Sequence, residues 1–263
     1  MADSPNSPLT PLIVSAPFGN YIQPGGATPT LGTFTASPRP GRWWRTLKTV
    51  RYYPRLRAWV NRIGLRNPGI DWLRQRVLDG RIDPADKIIS VHGFDQLQWQ
   101  SLLQQASDLE PAAIELNMSC PNVGEVDWPN DLFERAAALA TPIVVKLPPI
   151  HYELMVDQAR AAGLTTFHCC NTLPVPAGGI SGAPLKPLSL RCIRFLRASP
   201  QGDRLTLIGG GGIYTLADID DYASAGADHV ALGTKVMNPW YLISDKALLP
   251  FIDYAEQRLR DWV

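Results

Sequence analysis

The sequence carries almost no net charge and has no long apolar run. Its 25 basic residues nearly balance 24 acidic ones, so the chain has no overall field that would attract nucleic acid. No apolar stretch approaches the length of a membrane span. Residues 1–11 are polar and proline-bearing and lack the apolar core of a signal peptide. We therefore expect a cytoplasmic protein with no membrane span and no nucleic-acid partner, whose residues 1–10 form a flexible tail.

The chain is also poor in cysteine, which argues against a metal site or a disulfide framework. Its four cysteines have neither zinc nor iron–sulfur spacing, and two of them are adjacent and poorly placed for a structural disulfide. They are Cys120, Cys169, Cys170 and Cys192. We expect no metal ion.

The apolar pattern predicts strands that alternate with helices, and this order indicates a parallel sheet. A chain of 263 residues with 45% hydrophobic content suits a single domain over residues 1–263, built as an eight-fold parallel (β/α)8 TIM barrel. The predicted strands are Leu12–Ser15, Gly32–Thr35, Ile88–His92, Ile114–Met118, Ile143–Leu147, Thr166–Cys170, Leu205–Ile208 and Val230–Leu232. The predicted helices are Asp95–Ser107, Asn130–Ala140, His151–Ala162, Leu188–Ala198 and Thr215–Ala225, with Asp95, Asn130 and Thr215 as caps.

The end of the fourth predicted strand carries an unusual set of polar side chains. The apolar residues from Ile114 are followed by Asn117, Ser119, Cys120 and Asn122. In α/β barrels, chemistry takes place where strands give way to loops at their C-terminal ends. Amide side chains both donate and accept hydrogen bonds, and a thiolate can accept a proton. The stretch is interpreted as part of an active site, with a simple Asn-rich turn and a buried thiol as the alternative.

Glycine-rich runs follow the late strands and suggest a phosphate site. A glycine-rich turn that opens a helix presents backbone N–H groups to an anion, and barrels commonly bind phosphate after strands 7 and 8. Simple turns and helix caps are the alternative for any one run. The runs are Gly178–Gly182, Gly209–Gly212 and Gly233–Thr234.

Over roughly Pro11 to Tyr241, the sequence resembles the dihydroorotate dehydrogenases. The resemblance rests on four motifs: the nonapeptide from Asn61 to Gly69, the run Asn117–Asn122, the pentapeptide Val145–Pro149, and Gly179–Gly182. It implies a flavoprotein with FMN as cofactor that oxidises dihydroorotate to orotate in pyrimidine biosynthesis. Cys120 would remove a proton from C5 while a hydride leaves C6 for N5 of FMN.

The resemblance also assigns the remaining site residues. Lys146 would approach the pyrimidine edge of the flavin. The alternative for this lysine is an ordinary surface salt bridge. Any single Asn near a Gly or Pro is more often a turn residue. The expected substrate-binding residues are Asn61, Gly64, Leu65, Asn117, Asn122, Asn171 and Thr172. The expected cofactor-binding residues are Ala16, Gly19, Lys146, Gly182, Gly210, Gly211, Gly212, Gly233 and Thr234.

A cysteine as the base is similar to the soluble class 1 branch of the family, whose members pass electrons to fumarate or, through a partner subunit, to NAD. A homodimer or an electron-transfer partner subunit is therefore expected beside the small-molecule substrate. One departure points elsewhere. The family has an additional lysine in the first loop or on the second strand, but neither Phe18–Asn20 nor Leu31–Thr35 contains one. The loop after Asn171 is also short. A divergent FMN oxidoreductase acting on another planar, amide-bearing ring thus stays open.

Residues 24–76 are expected to form a loop-rich, basic segment near the barrel mouth. From Arg39 to Arg76 this segment combines many arginines and aromatic residues with a single acid, Asp71. Such a surface can hold an anionic membrane or an acidic partner, which would suit a non-catalytic flavin-binding scaffold subunit. The ordinary alternative is a solvated flap whose arginine stems cover apolar surface.

Overall fold

The computed structural model of the chain describes residues 9–118, 128–238 and 240–260, and in these residues eight parallel strands close a barrel. The barrel strands follow one another in chain order, and β1 pairs with β12 to close the barrel. Four further strands lie outside the barrel. The TIM-barrel prediction is confirmed. The barrel strands are β1 (Leu12–Val14), β2 (Thr28–Phe34), β5 (Ile88–Val91), β6 (Ala113–Asn117), β7 (Ile143–Leu147), β8 (Thr166–Cys169), β11 (Thr206–Gly210) and β12 (His229–Leu232); β3, β4, β9 and β10 are defined below.

Helices cover the outside of the barrel. α3 is capped by Asp95, whose carboxylate accepts from the Gln98 N–H at 2.8 Å, and α7 begins with a Thr215–Asp218 capping box. Asn130 is not a cap, because the helix there is shorter than predicted and starts after Asp131. The helices are α1 (Arg42–Thr49), α2 (Ile70–Leu78), α3 (Gln96–Ser107), α4 (Leu132–Ala137), α5 (Glu153–Ala161), α6 (Lys186–Ala198), α7 (Leu216–Ala225), α8 (Trp240–Ile243) and α9 (Leu249–Arg260).

The barrel interior is apolar at one end and polar at the other. Side chains of a strand alternate between the interior and the helix layer. Small and branched apolar residues such as Ile88, Ala113 and Val144 fill the end where the strands begin. Two positions later the same faces carry Ser90, Glu115, Lys146 and, on β8, His168, all buried. The polar end of the interior is therefore the end at which the strands finish.

A small antiparallel sheet, which the sequence did not predict, lies outside the barrel. It joins two distant parts of the chain in the order β3 (Arg51–Tyr53), β4 (Ala58–Asn61), β10 (Gly178–Gly182) and β9 (Leu173–Val175). The interpretation of Gly178–Gly182 as a glycine-rich turn was wrong, because these residues form β10 and pair with β4. Likewise, residues 24–76 hold β2, β3, β4, α1 and α2 and are richer in regular structure than expected.

Candidate active site

One cavity of about 390 Å³ opens at the C-terminal ends of the barrel strands. This volume falls within the range of small-molecule and cofactor sites, roughly 300–1,000 Å³. Most of the predicted site residues that the structure describes line it together. From the substrate set these are Asn61, Gly64, Leu65, Asn117, Asn171 and Thr172, and from the cofactor set Ala16, Lys146, Gly210, Gly211, Gly233 and Thr234. Cys120 and Asn122 lie outside the described residues.

Three predicted cofactor-binding glycines, Gly19, Gly182 and Gly212, do not line the cavity. Each of them packs closely against neighbouring backbone. A Cβ on Gly19 would lie 2.4 Å from the Thr30 carbonyl oxygen, and one on Gly182 would lie 2.4 Å from the Arg57 carbonyl oxygen. Gly182 and Gly212 also have positive φ angles, of 102° and 71°, which favour glycine at these turns.

The buried carboxylate Glu115 organises the polar end of the barrel. Its two oxygens contact Lys146 Nζ at 3.3 Å and His168 Nδ1 at 2.7 Å, one from each of the next two strands. Burial alone would raise the pKa of Glu115, but Lys146, His168 and Ser90 outweigh it and lower the pKa to about 2. Burial and the neighbouring Lys146 lower the pKa of His168. The cluster therefore contains one anion, one cation and a neutral imidazole.

The pairing of Lys146 decides between its two interpretations. Its side chain is 8% exposed and its partner Glu115 1%, so it does not form a surface salt bridge. A buried cation at the floor of a cavity is suited to stabilising negative charge on a bound group.

The cavity asparagines belong to a chain of hydrogen bonds. Asn171 Nδ2 donates to Asn117 Oδ1 at 2.7 Å, and Asn117 Nδ2 donates to Thr33 Oγ1 at 2.9 Å. Thr33 Oγ1 in turn lies 2.9 Å from Ser90 Oγ. The carbonyl oxygen of Asn117 lies 2.7 Å from Nδ1 of His92. Asn117 is thus held through both its side chain and its main chain.

The glycine turns after β11 and β12 form a wall with room for a ligand. At Gly233 an added Cβ would meet nothing closer than Ser15 Cβ at 3.7 Å, so this backbone faces open cavity. Gly211 combines a φ of 108° with Leu185 Cβ 2.8 Å from the added atom, so it is needed for the turn itself. Exposed backbone and the Thr234 hydroxyl are the kind of donors that hold a phosphate, and the residues present fit such a group.

The dihydroorotate dehydrogenase profile matches residues 19–246, most of the chain. The chain belongs to the dihydroorotate dehydrogenase family. Members of this family are generally flavin-dependent. The resemblance noted in the sequence is therefore confirmed.

Curated relatives from two branches of the family match the chain to a similar degree. The catalytic subunit of dihydroorotate dehydrogenase B (NAD(+)) from Malacoplasma penetrans is 30% identical over 76% of this chain and 72% of its own. Dihydroorotate dehydrogenase A (fumarate) from Limosilactobacillus reuteri is 32% identical over 71% of this chain and 73% of its own. Among solved structures, DHODH from Eimeria tenella in complex with ferulenol superposes with a TM-score of 0.72 at 18% identity, covering 96% of this chain and 82% of that one.

Small residues of β2 stand in the cavity wall, in one of the two stretches where the family resemblance implies an additional lysine. Gly32 and Thr33 line the cavity, and the Asn20 side chain donates to the Gly32 carbonyl oxygen at 3.2 Å and accepts from its N–H at 3.2 Å. The short connection after Asn171 folds as the β9–β10 hairpin and still brings Thr172 and Ser181 to the cavity. The chain therefore encloses its cavity with a different charge pattern from the one that the family resemblance implies.

The basic segment divides into two parts. In the first part, arginine side chains cover aromatic rings, which agrees with the flap interpretation. The Cζ atom of Arg57 lies 4.4 Å from the Tyr214 ring centroid, and that of Arg39 lies 4.7 Å from the Phe94 ring centroid. Helix α1 differs, because it buries none of its residues and leaves Trp43 74% and Leu47 76% exposed. Arg42, at its start, lines the cavity mouth. No helix in the described residues is both long and apolar enough to cross a membrane.

The sequence interpretation missed Glu115, His168 and Thr33 as site residues. A usable signal was present for the first two. Charged and polar residues that stand on adjacent, otherwise apolar strands require partners, and the register aligns Glu115 with Val144 and Lys146 with His168. Thr33 gave no comparable signal, since a threonine is ordinary in a strand.

Proposed function

We propose that the protein uses FMN to oxidise dihydroorotate to orotate in pyrimidine biosynthesis. The observation that supports this best is the convergence of Asn61, Asn117, Asn171 and Lys146, from four separate chain segments, on one cavity at the catalytic end of the barrel. The family match and the curated relatives named dihydroorotate dehydrogenase support the same reaction.

FMN is proposed because the cavity offers one glycine wall for one terminal phosphate. Gly210, Gly211, Gly233 and Thr234 would hold the phosphate, and Lys146 would lie beside the ring. When bound, the flavin supplies the hydride acceptor. The positive charge of the buried Lys146 side chain favours negative charge on a neighbouring group.

The protein's own groups would bind the pyrimidine and move one proton. Asn61, Asn117, Asn122, Asn171 and Thr172 are proposed to pair with the ring amides and the carboxylate, with Gly64 and Leu65 packing beside them. Cys120, three positions after the end of β6 in the sequence, is proposed to take the proton from C5. A thiol is a suitable base because its ordinary pKa, about 8.5, lies near neutrality.

The test is anaerobic addition of dihydroorotate to the purified, flavin-loaded protein. The expected result is bleaching of the flavin absorbance with formation of one orotate per flavin. Unchanged flavin absorbance in a protein that dithionite readily reduces would refute the proposed reaction.

The alternative substrate is favoured by one observation: Gly32 and Thr33 stand in the cavity wall, and neither Phe18–Asn20 nor Leu31–Thr35 supplies the lysine that the family resemblance implies. Loss of a cation weakens the case for a carboxylate on the ligand. If 5,6-dihydrouracil, which lacks the carboxylate, bleaches the flavin faster than dihydroorotate does, this alternative replaces the first.

We further propose that residues 1–263 act as a single cytoplasmic domain and that electrons leave to fumarate or to a partner subunit. The relatives of both kinds match equally well. Reoxidation of the bleached protein by fumarate alone would support the first acceptor.

A further inference from the structure

The asparagines of the cavity are connected to the buried carboxylate Glu115. From the cavity inwards, the Thr172 N–H donates to Asn171 Oδ1 at 2.8 Å, Asn171 to Asn117, and Asn117 to Thr33. Thr33 Oγ1 meets Ser90 Oγ at 2.9 Å. Ser90 is the neighbour of Glu115 in the β5–β6 register and bonds to its carboxylate.

The ionised carboxylate of Glu115, at the inner end of this row of hydrogen bonds, determines which group donates in each bond. An ionised carboxylate only accepts hydrogen bonds, so the Ser90 hydroxyl donates to Glu115. Ser90 Oγ must then accept the proton of Thr33, and Thr33 Oγ1 is left to accept from an N–H. The amide of Asn117 therefore turns its nitrogen to Thr33 and its oxygen to Asn171.

We propose that Glu115 is a positioning residue that, through Ser90 and Thr33, fixes which way the amides of Asn117 and Asn171 face and so determines the donor and acceptor pattern offered to a bound pyrimidine. This inference rests on the proposed function for the identity of the ligand. A primary amide has two N–H groups and one carbonyl oxygen, so fixing which way it faces fixes where it presents donors and where it presents an acceptor. Such a pattern suits a cyclic ligand whose C=O and N–H groups alternate.

The same carboxylate sets two further groups at the cavity floor. Lys146, which it neutralises, and His168 both line the cavity. Because Nδ1–H of His168 donates to Glu115, its Nε2 is an acceptor, and it lies 2.9 Å from where a Cβ of Gly210 would stand. Glu115 thus positions groups on both the pyrimidine side and the flavin side of the site.

Ser90→Ala separates positioning from direct contact, because Ser90 is fully buried and does not line the cavity. Orotate affinity is measured by titrating the flavin absorbance of the loaded protein. We expect orotate to bind about tenfold more weakly, since the amide network loses its fixed direction. The flavin midpoint potential should stay unchanged. Orotate affinity equal to the parent's would overturn the proposal.

A matched pair on β2 controls for general loosening of the fold. Thr33→Val removes the hydroxyl that links Asn117 to Ser90, whereas Thr30→Val removes a buried hydroxyl that has no hydrogen-bond partner among the described residues. Thr33→Val should weaken orotate binding about tenfold and Thr30→Val should leave it unchanged. Equal weakening in both variants would contradict the network.

Glu115→Gln adds a measurement that needs no pyrimidine. Without its counterion, Lys146 stabilises reduced flavin more strongly, so the flavin midpoint potential should rise, while the same change at the exposed Glu134 should leave it in place. If the parent fails to bind orotate, the proposed function fails. An unchanged potential in Glu115→Gln would overturn the part of the proposal in which Glu115 anchors the flavin side of the site through Lys146.

Discussion

Acid should remove a defined part of the stability of this protein, and Glu115 should account for it. The folded-state pKa of Glu115 is about 2 against 4.5 for the free group. Because folding lowers this pKa, the stabilisation is complete above about pH 4.5 and is lost as pH falls towards 2. The full effect is about 3 kcal/mol, taking about 1.4 kcal/mol for each pH unit. Between pH 6 and pH 3.5 the parent should lose about 1.4 kcal/mol through this group.

The comparison is with Glu115→Gln, which cannot titrate. Urea unfolding of both proteins with the same excess of FMN, at several pH values from 6 to 3.5, gives two curves of unfolding free energy. The variant should be less stable at pH 6, and the gap should narrow by about 1.4 kcal/mol at pH 3.5. The other carboxylates are the same in both proteins, so their contributions cancel in the difference. Parallel curves would show that the carboxylate does not have the low pKa on which this reasoning depends.

Three further predictions concern the cofactor, the base and the surface. Gly233→Val should abolish FMN retention with little change in apoprotein melting temperature, because its side chain enters open cavity, whereas Gly211→Leu should also destabilise the fold by meeting Leu185; retention of FMN by a folded Gly233→Val would contradict the phosphate site. Cys120→Ala should keep flavin and orotate binding but slow flavin reduction about 10² to 10⁴-fold in stopped flow, and Cys120→Ser should recover partial activity at higher pH; a parental rate in Cys120→Ala would exclude it as the base. If Arg42, Arg45 and Arg51 form a docking surface, the protein should sediment with anionic vesicles in low salt and be released as salt rises; no binding would leave the flap interpretation.

The barrel could be predicted because most of its strands are short apolar runs followed by a turn. Ile143–Leu147 was predicted to the residue, and most other strand ends were within two residues. β2 was the exception. It starts at Thr28, four residues before the prediction, because Pro29 and the flanking threonines hide a buried strand behind a loop-like composition.

The small sheet could not be predicted, because its two central strands, β4 and β10, pair across more than a hundred residues of sequence. β4 and β10 align Asn61 with Gly179 and Ala58 with Gly182. Local composition gives no hint of this register, and a glycine-rich strand is easily mistaken for a turn. The candidate site was predicted where a motif named the residue, as for Lys146 and Asn117. It was missed where the role depends on neighbours in the barrel, as for Glu115 and Ser90.

The closure of the barrel has a consequence for how the protein is made. β1, which has only three residues, pairs with β12 more than two hundred residues later, with Leu12 beside Val230. The residues that follow these two strands, Ser15 and Gly233, face each other across the cavity wall. The barrel therefore cannot close until the chain has been made as far as β12. A ligand bound between Ser15 and Gly233 would contact both ends of the barrel sequence at once and so stabilise the closed form, which an unfolded chain could not offer it.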